Sequence, residues 1–362
     1  MSYTQEERAW IAISQVNGMT PRRFYHLLSE AGDLAPVVEE PRAWQEAIEP
    51  KVYERLLEAC RPDQVQKLFD RLEQLGVRAV ARCSAGYPEA LEPISDPPPV
   101  LFVRGCEDLE PEKALAIVGT RRPTYDGKKS AARFAKELAE NGVCVVSGLA
   151  RGIDTLSHSA CLEAGGRTIA VLGNGLAGVY PPENASLAQK IVDLGGSVIS
   201  ELPLDEAPSR WSFPARNRII AGLSRAVLVV EGDARSGSMI TASCALEQGR
   251  DVFAIPGSIY NSLAEGTNRL IQNGAYPALS PRDILESLRW GALSPAPNKE
   301  ITPPELDESE KKIYDLLKNE ALSFEELVQA GGFDPDELNA SLTLLTLRSI
   351  IVRLPGNQYR IA

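Results

Sequence analysis

The chain is poor in the residues that most catalytic and metal chemistry uses. It holds two histidines, His26 and His158, among 362 residues, which argues against a histidine-rich metal site and against most His-based catalysis. The six cysteines (Cys60, Cys83, Cys106, Cys144, Cys161 and Cys244) form no C-x-x-C pair. No metal or dithiol chemistry is therefore expected, and reduced thiols fit a cytoplasmic protein. No apolar run approaches the ~20 residues of a membrane span; the longest, such as residues 226–230, are strand-sized. The first ten residues are polar and acidic, unlike a signal peptide. Positive charge is also scarce. With 38 Lys and Arg against 49 Asp and Glu the net charge is −11, which on its face argues against a phosphate-rich partner.

What is present is the composition of an ordinary globular chain, 44% hydrophobic and 24% charged, long enough for about two or three domains. Residues 1–83 have apolar positions three and four apart and read as a helical domain. Within it, Gly18 permits a turn, Thr20 can cap the next helix and Pro21 suits its first position. This helix-turn-helix resembles helix-hairpin-helix and sterile-alpha-motif modules; a plain small bundle with an ordinary turn fits as well.

Residues 84–290 alternate short apolar runs (115–118, 143–146, 168–172, 198–199, 226–230 and 252–255) with amphipathic stretches (128–140, 155–164, 186–194 and 240–248). This pattern predicts an α/β domain built on a Rossmann-like, doubly wound, mostly parallel sheet, with ligands at the carboxyl ends of its strands. Residues 291–304 are a proline-rich linker. Residues 305–362 then read as three helices and a hairpin, the winged-helix arrangement, with caps at Ser323 and Asp334.

Several enzyme signatures fail on spacing. Gly127-Lys128-Lys129-Ser130 resembles the end of a Walker A loop, but Gly119 lies too far upstream. Gly173-Asn174-Gly175-Leu176-Ala177-Gly178 matches G-x-G-x-x-G, with Glu201 downstream. Val179-Tyr180-Pro181-Pro182 follows where a dinucleotide site needs a helix, so no nucleotide cofactor is expected. His158 sits where packing or capping suits it better than base catalysis.

Four predicted strand ends share one chemistry instead. Gly119-Thr120-Arg121-Arg122 follows the first run, and Ser147-Gly148-Leu149-Ala150-Arg151-Gly152-Ile153-Asp154 follows the second. Phe213-Pro214-Ala215-Arg216-Asn217-Arg218 is read as a loop before another strand, and Arg235-Ser236-Gly237-Ser238-Met239-Ile240-Thr241 opens a helix after it. Glycines let backbone N–H groups approach an anion, and arginine forks pair with phosphate oxygens. Together they point to a ligand with several phosphates. Phe213, Tyr180 and Trp211 are candidates for stacking bases, with burial expected for at least two of them.

These motifs carry a resemblance to the DprA/Smf family of bacterial DNA-processing proteins. Phe213 to Ser224, Gly249-Arg250-Asp251-Val252-Phe253-Ala254-Ile255-Pro256-Gly257 and Glu265-Gly266-Thr267-Asn268-Arg269-Leu270-Ile271 extend it in order. The resemblance implies a Rossmann-like domain that binds single-stranded DNA and helps load RecA during natural transformation, as a homodimer without enzymatic activity. By position it implies contacts from Gly119, Thr120, Arg121, Ser147, Gly148, Arg151, Gly152, Arg216, Asn217 and Arg218. Arg122 is added on chemistry alone. Thr120 stands where the family often has serine, which keeps the hydroxyl. The dimer contact is placed at Leu270 and Ile271. The alternatives are a phosphoribohydrolase of the related Rossmann-like family, whose P-G-G-x-G-T loop is missing from 235–241, and a protein-interaction scaffold.

Divided by region, the charge objection weakens. Residues 1–83 carry 11 basic and 13 acidic side chains, residues 84–290 carry 20 and 24, and residues 303–362 carry 6 and 11. The central domain is nearly balanced, and binding responds to local potential. The last helix opens on Asp334, Asp336 and Glu337, which would meet phosphates with like charge. That domain is expected to dock protein rather than read duplex DNA.

Overall fold

The apolar runs become strands because each is buried on both sides. In the computed structural model, which describes residues 3–291, 306–318, 321–348, 350–354 and 357–361, the chain forms two compact units, Met1–Leu293 and Ser294–Ala362.

The first unit opens with five helices: α1 (Gln5–Ser14), α2 (Pro21–Ala31), α3 (Ala35–Glu39), α4 (Pro50–Ala59) and α5 (Pro62–Gln74). Thr20 caps α2 by accepting from Arg23 N, with Pro21 at the first helical position. There follow β1 (Arg78–Ala81), β2 (Val100–Gly105), β3 (Ala114–Val118), α6 (Tyr125–Glu140), β4 (Cys144–Ser147), α7 (Ile153–Glu163), β5 (Thr168–Val171), α8 (Ala185–Asp193) and β6 (Ser197–Ser200). The unit continues with α9 (Ser212–Gly222), β7 (Ala226–Val229), α10 (Gly237–Glu247), β8 (Asp251–Ala254), α11 (Glu265–Gln272), β9 (Tyr276–Pro277) and α12 (Pro281–Ser287).

All nine strands form one sheet in the order β1-β2-β6-β5-β4-β3-β7-β8-β9. It is parallel except where β2 pairs antiparallel with both β1 and β6. Alternate residues face opposite layers. Ala116, Val146, Val171 and Val227 pack with α9 and α10, while Leu115, Ile117, Val145 and Leu228 pack with α6, α7 and α12. On this second side, Phe102, Ala170, Leu172 and Val198 join Trp10, Ile13, Phe24 and Leu56 in a single cluster, so the helical bundle roofs the β1-β2-β6-β5 end.

Two sequence expectations need correction. A helical domain ending at 83 does not describe this unit, because Arg78–Ala81 is an edge strand and the bundle shares the sheet's core. The segment 213–218, read as a loop, lies inside α9. Pro214 falls in the first turn, where its missing N–H interrupts no helical bond.

The second unit contains α13 (Glu308–Leu316), β10 (Leu322–Ser323), α14 (Phe324–Gly331), α15 (Pro335–Leu347), β11 (Ile351–Leu354) and β12 (Gln358–Ile361), its strands ordered β10-β12-β11. Ser323 and Glu326 form a capping box, and Asp334 caps α15 ahead of Pro335, as the sequence predicts. Except for Gly291, the expected linker 291–304 lies outside the described residues.

Candidate nucleic-acid interface

The chain leaves β3 through α6 to reach β4 on one side, and returns through α9 to β7 on the other. β3 is hydrogen-bonded to both strands. Loops diverge at such a switch point, and the carboxyl ends open into a crevice. Here the crevice has a volume of about 840 Å³ and is lined by Gly119 to Arg122, Ala150, Asp154, Arg210, Phe213, Arg216, Asn217, Ser236 to Ser238, Ile240 and Thr241. A narrower recess beside it is lined by Arg121, Gly148, Arg151, Tyr180, Phe213 and Arg216.

The loop after β3 is held by backbone bonds. Thr120 N donates to Glu231 O at 2.7 Å and Ile153 N to Thr120 O at 3.2 Å. Glu231, 5% exposed, accepts from Thr124 N, Thr124 Oγ1 and Asn261 Nδ2. Gly152 has φ +80°, and a Cβ there would run into Thr120 O and Arg121, so glycine is what lets the two loops touch. Arg121 and Arg122 emerge exposed from this support, with no ion pair or side-chain hydrogen bond among the described residues. Arg121 lies 5.3 Å from the Phe213 ring centroid, a cation–π distance.

The loop after β4 is organised inward. Gly148 N and Ala150 N both donate to Asp154 Oδ2, at 3.1 and 3.3 Å. Those N–H groups are committed to the protein's own carboxylate. Ser147 is fully buried and donates to Ile117 O at 2.6 Å, so its hydroxyl supports the sheet and does not face the crevice. Arg151 is ion-paired with Glu183 at the surface.

α9 separates its arginines by helical geometry, since residues two apart do not share a face. Arg216 points inward, 6% exposed, and donates through Nη1 to Gly148 O and Val171 O, both at 2.6 Å. Burial pulls its pKa down to about 10, against the opposing pull of Asp154, so it stays charged at neutral pH. Burial likewise pushes the Asp154 carboxyl up, opposed by Arg216 and the two N–H donors. Asn217, 7% exposed, bridges from α9 to Gly237 O at 3.2 Å. Arg218 points away and is held bidentately by Glu201 at 2.5 and 2.6 Å, with Nε on Asp96 O. The side chain that the motif would place on a ligand makes this internal pair instead of facing the crevice.

The aromatic expectation also changes. Phe213 and Tyr180 are half-buried and stand 5.6 Å apart, and Trp211 is 72% exposed with Arg210 4.7 Å above its ring. None of the three is buried: Phe213 lies in the first turn of α9 and lines the crevice, Tyr180 lines the recess beside it, and Trp211 stands just before the helix. Arg210, another guanidinium without an ion pair among the described residues, was not singled out by its sequence context, although its place beside Trp211 and Phe213 is a usable signal. Leu270 and Ile271 lie on α11, half-buried, near the β9 edge of the sheet.

His158 is fully buried in α7. Thr168 Oγ1 donates its one hydrogen to Val145 O, so it accepts from His158 Nδ1 at 2.7 Å, and Nε2 has no partner among the described residues. The ring serves packing. All six cysteines are free, and burial pushes the thiols of Cys60, Cys144 and Cys161 up to about 12. Among the described residues there is no cluster of potential metal ligands and no helix long and apolar enough to cross a membrane.

Known proteins match this architecture over most of the chain. The family described as DNA recombination-mediator protein A matches residues 78–289, and the DprA winged helix domain matches 296–357. Protein Smf of Escherichia coli is 41% identical over 295 residues, 80% of this chain and 79% of that one. A crystal structure of DNA processing protein A from Streptococcus pneumoniae superposes with a TM-score of 0.67 at 38% identity, covering 79% of this chain and 98% of that chain. A second, from Helicobacter pylori, describes that protein's single-stranded DNA binding mode; it gives a TM-score of 0.53 at 32% identity over 59% of this chain and 95% of its own. The matched domains, their order and the extent of the likeness place this chain in the DprA/Smf family.

Proposed function

We propose that the crevice binds single-stranded DNA, and that the protein delivers the strand to RecA in recombination during natural transformation without covalent chemistry of its own. The observation that carries this reading is the placement of Arg121, Arg122 and Arg210, without ion pairs among the described residues, around the half-buried Phe213 and Tyr180. Guanidinium groups hold a phosphate chain while aromatic faces stack bases of any sequence. The relative from Helicobacter pylori, whose single-stranded DNA binding mode is described, supports it, as does the recombination-mediator family. Anisotropy titration with single- and double-stranded oligonucleotides at two salt concentrations tests it. Tight, salt-sensitive, strand-selective binding is expected, together with a shorter lag in RecA filament assembly. Absence of binding combined with base release from a nucleotide would favour the phosphoribohydrolase instead.

The same reading includes a homodimer through the β9 edge, where Leu270 and Ile271 lie near exposed Tyr276 and Leu279. Light scattering of an Ile271→Asp variant checks it, with a monomer expected. In the second unit, Asp334, Asp336 and Glu337 stand exposed at the start of α15, which argues for protein docking over duplex reading.

A further inference from the structure

One wall of the crevice is made by the loop after β7 and the first turn of α10, and the arginine side of the site does not use it. We propose that this wall is a second phosphate site, taking an internal phosphodiester of the strand that the arginines hold. The proposal rests on the single-strand reading above.

α10 is eleven residues long and has no acidic residue in its first turn. Gly237 opens it, and nothing lies within 4 Å of where a Cβ at that position would sit, so the backbone there can be closely approached. Ser236 caps only loosely, accepting from Ser238 N at 3.4 Å. A helix N-terminus in this condition favours an anion.

An independent observation points the same way. Thr241 is 2% exposed and lines the crevice, yet its hydroxyl has no hydrogen-bond partner among the described residues. Ser157, Thr168, Ser200, Ser224 and Thr267 are as deeply buried, and each donates to a carbonyl. The acceptor a helical threonine would ordinarily use, Gly237 O four residues back, is bonded by Asn217 Nδ2 instead. Thr241 is therefore left with a hydroxyl donor open to the crevice, where a phosphate oxygen can accept from it.

The donor set selects the class of phosphate. Asp233 lines the same wall, its carboxylate bonded to Arg235 N at 2.7 Å. A nearby negative charge opposes a dianionic terminal monoester more than a singly charged diester. Backbone N–H groups with one hydroxyl suit the latter.

The test uses the full chain and fluorescein-labelled oligothymidylate of 30 nucleotides, with and without a 5′-phosphate, at three salt concentrations. Thr241→Val should weaken binding about tenfold to a hundredfold, the size of one hydrogen bond to a charged group. The salt slope should stay unchanged, because a neutral hydroxyl releases no counterion. Thr241→Ser should bind as the parent does. Thr241→Val binding as tightly as a binding-competent parent would overturn the second site and leave the arginine site standing. A loss confined to 5′-phosphorylated oligonucleotides would overturn the internal diester. A parent that binds no single strand removes both readings.

Discussion

Arg216 donates to the carbonyl oxygen of Gly148 at 2.6 Å, and the same contact leaves no room for a Cβ at Gly148. One guanidinium thus ties α9 to the ends of β4 and β5 from inside the crevice. Arg216→Ala should cost about 3–5 kcal/mol, because two buried carbonyls lose their donor and Asp154 loses its counter-charge. Gly148→Ala should cost about 1–3 kcal/mol by crowding the same group. Urea unfolding measures both, and a loss under 1 kcal/mol in Arg216→Ala would refute the tie.

Arg121 has the opposite character. Exposed and without an ion pair among the described residues, it should be removable with stability unchanged to within about 0.5 kcal/mol. Arg121→Ala should nonetheless weaken single-strand binding and flatten the salt slope by about 0.7, the contribution of one phosphate contact to a single strand. Salt titration by anisotropy decides; an unaltered slope places the strand elsewhere.

Arg218 separates motif from mechanism. Its side chain and that of Glu201 are 14% and 10% exposed. Arg218→Ala should therefore destabilise the fold by about 3 kcal/mol while leaving the salt slope of DNA binding as it was. Pairing it with Glu201→Leu should recover much of the loss, since apolar replacements of a buried pair are often neutral. A changed slope in the single variant would return Arg218 to the binding surface.

His158 supplies a pH dependence. Burial, aided by the positive charge of Arg216, depresses its pKa from 6.5 to about 3. The unfolded chain therefore takes up a proton below pH 6.5 while the folded chain does not, so stability is full above that pH and falls as pH drops toward 3. The slope is about 1.4 kcal/mol per pH unit once below 6.5. Unfolding free energies at pH 7.5 and 5.5 test this against His158→Gln, which should lose less. Equal losses in both would assign the effect to other groups.

The central strands were legible because a strand buried on both faces reads as an unbroken apolar run, as in residues 115–118 and 226–230. β2 and β1 were not, lying among prolines and charges at the far end of the sheet; β9 is two residues long. Within the candidate site, the sequence picked out loops that line the crevice but not their internal economy. Ser147, Gly148 and Asp154 use their polar atoms on one another and on the sheet, which no local pattern reveals. Taking 213–218 as a loop made Arg216 and Arg218 equivalent. A helix turns them to opposite sides, one to the crevice and one to Glu201.

The bundle of α1 to α5 behaves as a retaining wall for the binding loops. Gln15 Oε1 accepts from Leu204 N at 3.0 Å and Arg71 pairs with Asp205 at 2.9 Å, while Leu204 O and Glu206 O accept from Ala177 N and Gly175 N of the glycine loop. A chain begun at residue 84 would keep every arginine of the crevice. It would also expose Phe102, Leu172 and Leu204 to water and free the strap that steadies the glycine loop. The portion that looks dispensable for contact is what keeps the contact surface in shape.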